Sequence, residues 1–126
     1  MNKVTRVDVS NHALHIHRDL SVSTSIRKPG PPKRIDGMTV GVVTLTADTL
    51  APHKGEVHPD GDEILYVISG RLRVTGESDP AKSVVEVGTG EACIVWKGEW
   101  HRVTVLESPT QLIHITPGPN GDYRPV

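Results

Sequence analysis

The sequence predicts an all-β protein in which short antiparallel strands form a sandwich or a barrel. Three observations favour this class over a helical one. Val and Ile together number 25 residues against 8 Leu, a bias that is typical of strands. The chain contains 12 Gly and 10 Pro, which divide it into short segments separated by turns. In addition, no window combines a sustained helical period with helix caps.

Candidate strands follow one another at short intervals along the chain. The alternation of apolar and polar residues is clearest at 71–75 and 102–106, where it places the apolar side chains on one face. Gly70 lies between two such runs and predicts a tight turn, and residues 76–82 predict an exposed hairpin loop. The predicted strands are residues 4–9, 13–17, 39–47, 64–69, 71–75, 83–87, 91–96, 102–107 and 111–116.

Composition limits the partners and the compartment that we expect. The formal net charge is −1 and the basic residues are scattered, so we expect neither a nucleic-acid nor a membrane partner. The one cysteine, Cys93, permits no internal disulfide, which fits a reducing compartment. The N-terminal residues lack the apolar run of a signal peptide, and no segment approaches the ~20 apolar residues of a membrane span. We therefore expect a soluble, cytoplasmic protein.

Two short segments carry candidate metal ligands. In the first, Glu56 and His58 are two residues apart on a strand, so their side chains point to the same side, and a following turn returns Glu63 to that side. In the second, His101 opens a strand; if this strand faces inward, its imidazole meets the first three groups. Two imidazoles and two carboxylates suit one divalent transition-metal ion. The predicted metal ligands are Glu56, His58, Glu63 and His101.

The spacing of these residues resembles the two sequence motifs of the cupin superfamily, G-x5-H-x-H-x3-4-E-x6-G and G-x5-P-x-G-x2-H-x3-N. The positions that match are His58, Glu63 and Gly70 in the first motif and Gly90, Gly98 and His101 in the second. The resemblance covers residues 50–105 directly. It implies a cupin-type antiparallel β-barrel, also called a double-stranded β-helix or jelly roll. Because the sequence shows no internal repeat and no domain boundary, we expect a single cupin domain over 1–126, with N-terminal strands and a proline-rich connector over 1–35, the barrel over 38–116 and a surface tail over 117–126.

Four positions depart from the family motifs: Leu50 replaces the opening glycine, Trp96 the proline, Val105 the asparagine and Glu56 the first histidine. A glutamate can still bind a metal, and two carboxylates would neutralise a +2 ion and stabilise a higher oxidation state. Such a site suits Fe or Mn, with Zn, Ni or Co as alternatives. Two other interpretations remain open. Glu56 is a general base beside a facial triad of the other three residues, or His53 takes its place as a ligand.

The resemblance is not specific for a reaction, because the superfamily contains dioxygenases, isomerases, decarboxylases, lyases and binding proteins. We expect a metal-dependent enzyme, an oxygenase that acts on a small, partly apolar, oxygen-bearing substrate. The alternatives are a metal-assisted isomerase, lyase or hydrolase without redox chemistry, and a non-catalytic small-molecule-binding cupin.

Further residues complete the predicted site. His114 lies in an alternating strand and is a candidate acid or base beside Glu56, with a structural histidine as the alternative. The exposed edges of a small barrel also predict a homodimer, in which the N-terminal strands pair with a neighbouring copy. The predicted apolar lining of the substrate pocket is Leu65, Leu72, Cys93, Val103 and Val105.

Overall fold

The computed structural model describes residues 3–29, 33–48, 53–79 and 81–125, and within these ranges the regular structure is entirely strand. None of the described segments forms a helix long and apolar enough to cross a membrane. The strands are β1 (His12–His17), β2 (Val22–Ile26), β3 (Gly37–Leu45), β4 (His53–Val57), β5 (Glu63–Gly76), β6 (Val84–Gly88), β7 (Ala92–Val95), β8 (His101–Gly118) and β9 (Asp122–Pro125).

The two longest strands, β5 and β8, hold the sheet together. They pair antiparallel from Ile64 opposite Ile115 to Gly76 opposite His101. The C-terminal half of β8 also pairs with β3, whereas its first residue, His101, pairs with Glu56 of β4. Because each end of β8 has a different neighbour, the antiparallel sheet curls into a half-barrel, as the all-β prediction requires.

The remaining strands extend the half-barrel on both sides. The path β2-β1-β3-β8-β4-β9 forms one continuous hydrogen-bonded order, and β6 and β7 both pair with β5. The N-terminal hairpin therefore belongs to the sheet, because Leu14 of β1 pairs with Val40 of β3. At the other end of the chain, β9 pairs with β4 through Tyr123 and Glu56.

In both long strands, the more buried side chains belong to odd-numbered residues before a bend and to even-numbered residues after it. Strand β5 buries Leu65 and Val67 before Gly70, and Leu72 and Val74 after it. Its pairing with β8 shifts register between residues 67 and 72, and Gly70 has a φ of +104° that L side chains rarely adopt. The bulge lets one strand serve two parts of the curled sheet while its apolar side chains stay inside. The buried core is formed by Leu65, Val67, Leu72, Val74, Val87, Cys93, Val95 and Leu112.

Several strand predictions need correction. The predicted strand at 4–9 is wrong, since residues 4–8 have no regular structure and Val4 is exposed. The turn predicted at Gly70 is instead a bulge within one strand, β5. The strands predicted at 102–107 and 111–116 are likewise parts of a single strand, β8. The predicted tail at 117–126 contributes β9, although its described residues after Gly118 are exposed. Strands β2, β4 and β9 were not predicted, because they are short and rich in Ser, Gly and charged residues.

The edge expected for self-association is already occupied within the chain. Strand β1 pairs with β2 on one side and β3 on the other, so β2 forms the edge. Val22 and Ile26 of β2 are exposed. Dimerisation stays a prediction, and sedimentation at micromolar concentration is its test. Two sequence features lie outside the described residues, namely Leu50 and residues 30–32 of the proline-rich connector.

Candidate metal centre

The four predicted metal ligands lie at neighbouring strand ends in the curled sheet. Glu56 is near the end of β4 and His58 directly follows that strand, while Glu63 and His101 are the first residues of β5 and β8. Glu56 and His101 are direct cross-strand partners, so the β4–β8 pairing sets their separation. The structure therefore brings all four side chains together, although they are up to 45 residues apart in the sequence.

The ligand atoms converge on one point. One nitrogen or carboxylate oxygen from each residue lies within 4.8 Å of all the others. Nε2 of His58 is 3.7 Å from Oε1 of Glu56 and 3.3 Å from Oε2 of Glu63. Nε2 of His101 is 3.4 Å from Oε1 of Glu56 and 3.2 Å from Oε1 of Glu63. Two atoms that are each ~2.1 Å from a common ion lie about 3.0–3.4 Å apart at octahedral or tetrahedral angles, so the spacing fits a metal.

Hydrogen bonding supports the same conclusion. Three of these atoms, Nε2 of His58, Oε1 of Glu63 and Nε2 of His101, are buried and have no hydrogen-bond partner among the described residues. They are close to one another but are not aligned as donor and acceptor. Buried polar atoms without partners are rare in folded proteins, because each loses its hydration without compensation. A shared metal ion would satisfy all three at once.

The residues differ in burial, which separates Glu56 from the rest. His101 is 0% exposed, Glu63 is 3% exposed and His58 is 6% exposed. The side chain of Glu56 is 33% exposed, so its carboxylate stands at the open side of the centre. This position is compatible with both interpretations of Glu56, as a ligand and as a general base.

The backbone orients the imidazole of His101. Its Nδ1 atom lies 3.1 Å from the carbonyl oxygen of Glu99 and donates a hydrogen bond to it. Because this bond keeps a proton on Nδ1, Nε2 is the nitrogen that gives up its proton when a metal binds, which yields the tautomer that a metal ligand requires. The side chain of Glu99 in turn accepts hydrogen bonds from the backbone and the hydroxyl of Ser78, which holds the turn that precedes β8.

A second orienting chain reaches Glu63 from β8. The hydroxyl of Thr116 donates a 2.6 Å hydrogen bond to Oε2 of Glu63, and Nδ1 of His114 lies 2.9 Å from the same hydroxyl oxygen. Because the hydroxyl proton is used towards Glu63, the ring of His114 must be the donor in the second bond. Thr116 is fully buried, so this bond replaces hydration that its hydroxyl has lost.

The pKa values follow from this packing. Burial disfavours the charged forms of His58 and His101, but interactions with Glu56 and Glu63 outweigh it and raise the pKa to about 9 for His58 and about 10 for His101. Burial likewise opposes ionisation of Glu63, yet His101 and His58 lower its pKa to about 2. The pKa of Glu56 is lowered far below its usual range by the same two histidines, against the effect of burial. Two imidazolium ions thus balance two carboxylates in the absence of a metal.

His114, the other candidate acid or base, lies outside this set of four. It packs over Gly41 of β3, where an added Cβ would lie 2.3 Å from its Nε2 atom. Burial, together with the nearby charge of Arg34, lowers the pKa of His114 to about 4. The ring is therefore neutral at pH 7, and it connects to the centre through Thr116.

A cleft of about 810 Å³ reaches the centre at His101. Its wall mixes apolar side chains, such as Val74, Val87 and Val95, with the charged Glu86 and Lys97. Among the predicted pocket residues, Cys93 lies in this wall. Leu65 and Leu72 lie in the core, and Val103 and Val105 pack against the core. The role of these residues towards a substrate stays a prediction.

Two residues near the centre were not singled out from the sequence. Thr116 is two positions after His114 in an alternating strand, so the period of two could have indicated that both face inward. Arg34 carries no comparable signal, since it precedes β3 and approaches the centre only through the fold. The side chain of His53, the alternative ligand, lies outside what the structure describes.

A curled antiparallel half-barrel with histidine and glutamate side chains that converge at adjoining strand ends defines a β-barrel of the cupin type with a candidate metal site. The cupin domain family model matches residues 42–116, which is more than half of the chain. The chain therefore belongs to the cupin family, as the two motifs predicted.

Solved structures show the same fold. A mutant of Bacillus subtilis oxalate decarboxylase matches with a TM-score of 0.54 and 21% identity, over 68% of this chain and 23% of that one. Protein NMB1881 from Neisseria meningitidis matches with a TM-score of 0.50 and 23% identity, over 74% of this chain and 89% of that one. This chain thus spans about a quarter of the decarboxylase, and the likeness concerns the fold. No match to a curated protein was found.

Proposed function

We propose that this cupin is a metal-dependent enzyme that acts on a small, partly apolar, oxygen-bearing substrate. The observation that carries the proposal is the convergence of four ligand atoms, three of them buried without hydrogen-bond partners, beside a cleft whose wall is partly apolar. Clefts that combine apolar walls with a few converging polar groups are typical of small-molecule sites.

Glu56, His58, Glu63 and His101 would hold one divalent ion, with Fe or Mn favoured by the mixed oxygen and nitrogen ligands. A bound ion of this type supplies polarisation of a carbonyl or carboxylate, or activation of dioxygen. The chain contributes rigid positioning: the Glu99 carbonyl orients His101, and Thr116 orients Glu63. The two carboxylates offset the charge of the ion, which favours redox chemistry over strong Lewis acidity.

Two residues are candidates for proton transfer. Among the four candidate ligands, Glu56 is the most accessible from solvent. If Glu56 does not bind the metal, its carboxylate would accept a proton from a bound substrate. His114 is neutral at pH 7, and with its proton on Nδ1 the Nε2 atom carries a lone pair that accepts a proton. Removal of either group is expected to lower turnover more than substrate affinity.

The first candidate reaction is an oxygen-dependent oxidation, because a charge-balanced site with two carboxylates stabilises a higher metal oxidation state. The second is a metal-assisted isomerisation, lysis or hydrolysis without redox chemistry. The hydrogen-bonded chain from His114 to Glu63 favours this second candidate. Such a chain positions a proton donor or acceptor, and these reactions need proton transfer but no electron acceptor.

Metal analysis combined with activity screening separates these functions. Protein purified without added metal is analysed for bound elements and then assayed for oxygen consumption with a panel of small carboxylic acids, diols and ketones. Iron-dependent oxygen uptake supports the oxygenase. Equal turnover with Mn, Zn or Ni under anaerobic conditions supports the non-redox enzyme. Tight substrate binding with no turnover under any condition would contradict an enzymatic role and indicate a binding protein.

A further inference from the structure

Arg34 occupies an unusual position at the end of the half-barrel near the metal centre. It lies just before β3, outside the part of the chain that the family model matches. Its Cβ approaches Gly118 of β8 so closely that an added Cβ at Gly118 would lie only 2.7 Å away. Gly118 continues the row of alternating β8 residues that contains His114 and Thr116. The side chain of Arg34 therefore starts in the space beside Gly118, which has no side chain to fill it.

The guanidinium of a half-buried residue, Arg34, has one buried donor without a direct partner. Its Nη1 atom is buried and has no hydrogen-bond partner among the described residues. Arg34 also forms no ion pair within the described part of the chain, in contrast to Arg18, Arg71, Arg73, Arg102 and Arg124. Guanidinium donors that lose hydration without gaining a partner are unfavourable, so this arrangement indicates that a ligand completes it.

The fold places Arg34 on the side of the centre from which Thr116 orients Glu63, because its Cβ lies against Gly118, two residues after Thr116 in β8. Burial lowers the pKa of Arg34, whereas Glu63 and Glu56 raise it through their charges. Arg34 in turn adds to the effect of burial in lowering the pKa of His114 and of His15. The cation therefore lies near the two carboxylates, but the hydrogen-bonding oxygen Oε2 of Glu63 is already engaged by Thr116.

We propose that Arg34 is a specificity-determining residue that binds the carboxylate of a small-molecule substrate whose other oxygen-bearing group reaches the metal centre. The proposal rests on the proposed function and deepens it by naming the substrate class. A guanidinium presents its donors in a planar fork that matches the two oxygens of a carboxylate. The buried Nη1 atom would donate one of these hydrogen bonds.

Charge favours a single carboxylate over a phosphate. At the centre itself, a divalent ion and two glutamates sum to zero and His114 is neutral, so Arg34 adds one positive charge beside it. A monocarboxylate neutralises this charge, whereas a phosphate dianion would leave an uncompensated negative charge in a partly buried site. The chemistry thus points to a short carboxylic acid with a second oxygen donor, such as a hydroxy or keto acid.

Calorimetry on Zn-loaded protein tests the proposal, with glycolate as the probe, ethylene glycol as its neutral analogue and inorganic phosphate as the competing anion. Arg34→Gln should weaken glycolate binding about 10- to 100-fold, which corresponds to the loss of a charge-assisted hydrogen bond. Arg34→Lys should retain part of this affinity. Arg73→Gln removes the same charge at an exposed ion pair and should leave the affinity unchanged. Ethylene glycol should bind equally weakly to all four proteins.

A thermal melt adds a readout that separates ligand binding from a structural role. Because Arg34 lacks a direct partner in the free protein, Arg34→Gln should melt at or above the temperature of the wild type. A lower melting temperature with unchanged glycolate affinity would show a structural role and overturn the proposal, and so would phosphate binding more tightly than glycolate. The same comparison is made in metal-free protein, where equal glycolate affinity of wild type and Arg34→Gln also overturns it. Failure of the wild type to bind metal or turn over substrate would instead count against the proposed function.

Discussion

Thr116 on β8 donates a 2.6 Å hydrogen bond to Oε2 of Glu63, the first residue of β5. This bond makes the orientation of a candidate metal ligand depend on the register between the two longest strands. The adjacent pairs Ile64–Ile115 and Leu65–His114 fix that register. Because the same hydroxyl accepts a hydrogen bond from His114, the carboxylate, the hydroxyl and the imidazole form one polar chain at the edge of the core.

Replacement of Thr116 by Val should weaken metal binding. The substitution preserves the shape of the side chain but removes the donor to Glu63, and the loss of such an orienting bond costs about 10- to 100-fold in metal affinity. Thr116→Ser should retain most of the affinity. Thr39→Val is the matched control, since Thr39 is the buried cross-strand partner of Thr116 on β3 and bonds to His15 instead. Chelator competition measures the affinities, and equal values for the Val variants at 39 and 116 would refute the orienting role.

Metal binding should release protons at neutral pH. In the metal-free protein the pKa values of His58 and His101 are raised to about 9 and about 10, so both imidazoles carry a proton at pH 7. An ion must displace both protons, and its apparent affinity should increase about 100-fold per pH unit up to pH about 9. Calorimetry in two buffers that differ in ionisation enthalpy measures the protons released. We expect about two per ion; a value near zero would contradict the pairing of imidazoles with carboxylates.

The same pKa values set the pH dependence of stability in the metal-free protein. A raised histidine pKa stabilises the fold fully below the ordinary value of 6.5, and this contribution is lost as the pH rises through about 9 for His58 and about 10 for His101. The lowered pKa of Glu63 acts in the opposite direction: its contribution is present above the ordinary value of 4.5 and is lost as the pH falls towards about 2. Urea unfolding across pH should therefore show greatest stability between about pH 4.5 and 6.5.

Substitutions at Glu56 distinguish a ligand from a general base. If the carboxylate binds the metal, Glu56→Gln should weaken metal affinity through the loss of a negative charge. Glu56→His should keep the metal and shift the preference from Mn or Fe towards Zn, Ni or Cu, because imidazole is the softer donor. If Glu56 is a base, Glu56→Gln should bind metal normally and lose turnover. Metal titrations of both variants, read beside turnover, decide between the two roles.

Gly70 and Gly90 form a matched pair that tests the bulge in β5. Both have a positive φ, +104° and +82°, but an added Cβ at Gly70 would lie 2.3 Å from Oγ1 of Thr110, whereas nothing lies within 4 Å at Gly90. Gly90→Ala should cost about 1–2 kcal/mol of backbone strain. Gly70→Ala should cost at least ~1 kcal/mol more, because it also crowds a packed interior. Urea unfolding measures the free energy of unfolding of both variants. Equal losses would show that the close approach of Thr110 to Gly70 does not contribute to the cost.

The fold class and three of the candidate ligands could be predicted from local patterns, whereas His101 was added from the spacing of the second motif. Alternation marked the buried faces of β5 and β8, and the spacing of Glu56, His58 and Glu63 around a turn placed them on one side. The predicted break at Gly70 failed for a physical reason: a glycine between two apolar runs is compatible with a turn and with a bulge, and pairing with β8 selects the bulge.

Long-range pairing explains what the sequence could not predict. The orienting role of Thr116 depends on its register against Glu63, 53 residues away, and Arg34 packs against β8 where Gly118 has no side chain. Strand β9 forms through its pairing with β4 and not through a pattern of its own. Such relationships arise from the topology of the sheet, which composition and spacing do not determine.

The content of bound metal in the wild type and in His101→Ala tests the central claim most directly. His101 contributes a fully buried Nε2 atom without a hydrogen-bond partner, so its removal should take most of the metal with it while the aliphatic core keeps the fold intact. His17→Ala is the control, because that imidazole is bonded to Ser23 away from the centre. Elemental analysis of the three purified proteins should find about one transition-metal ion per chain in the wild type and in His17→Ala, and little in His101→Ala. Full metal retention in a folded His101→Ala protein would contradict the site.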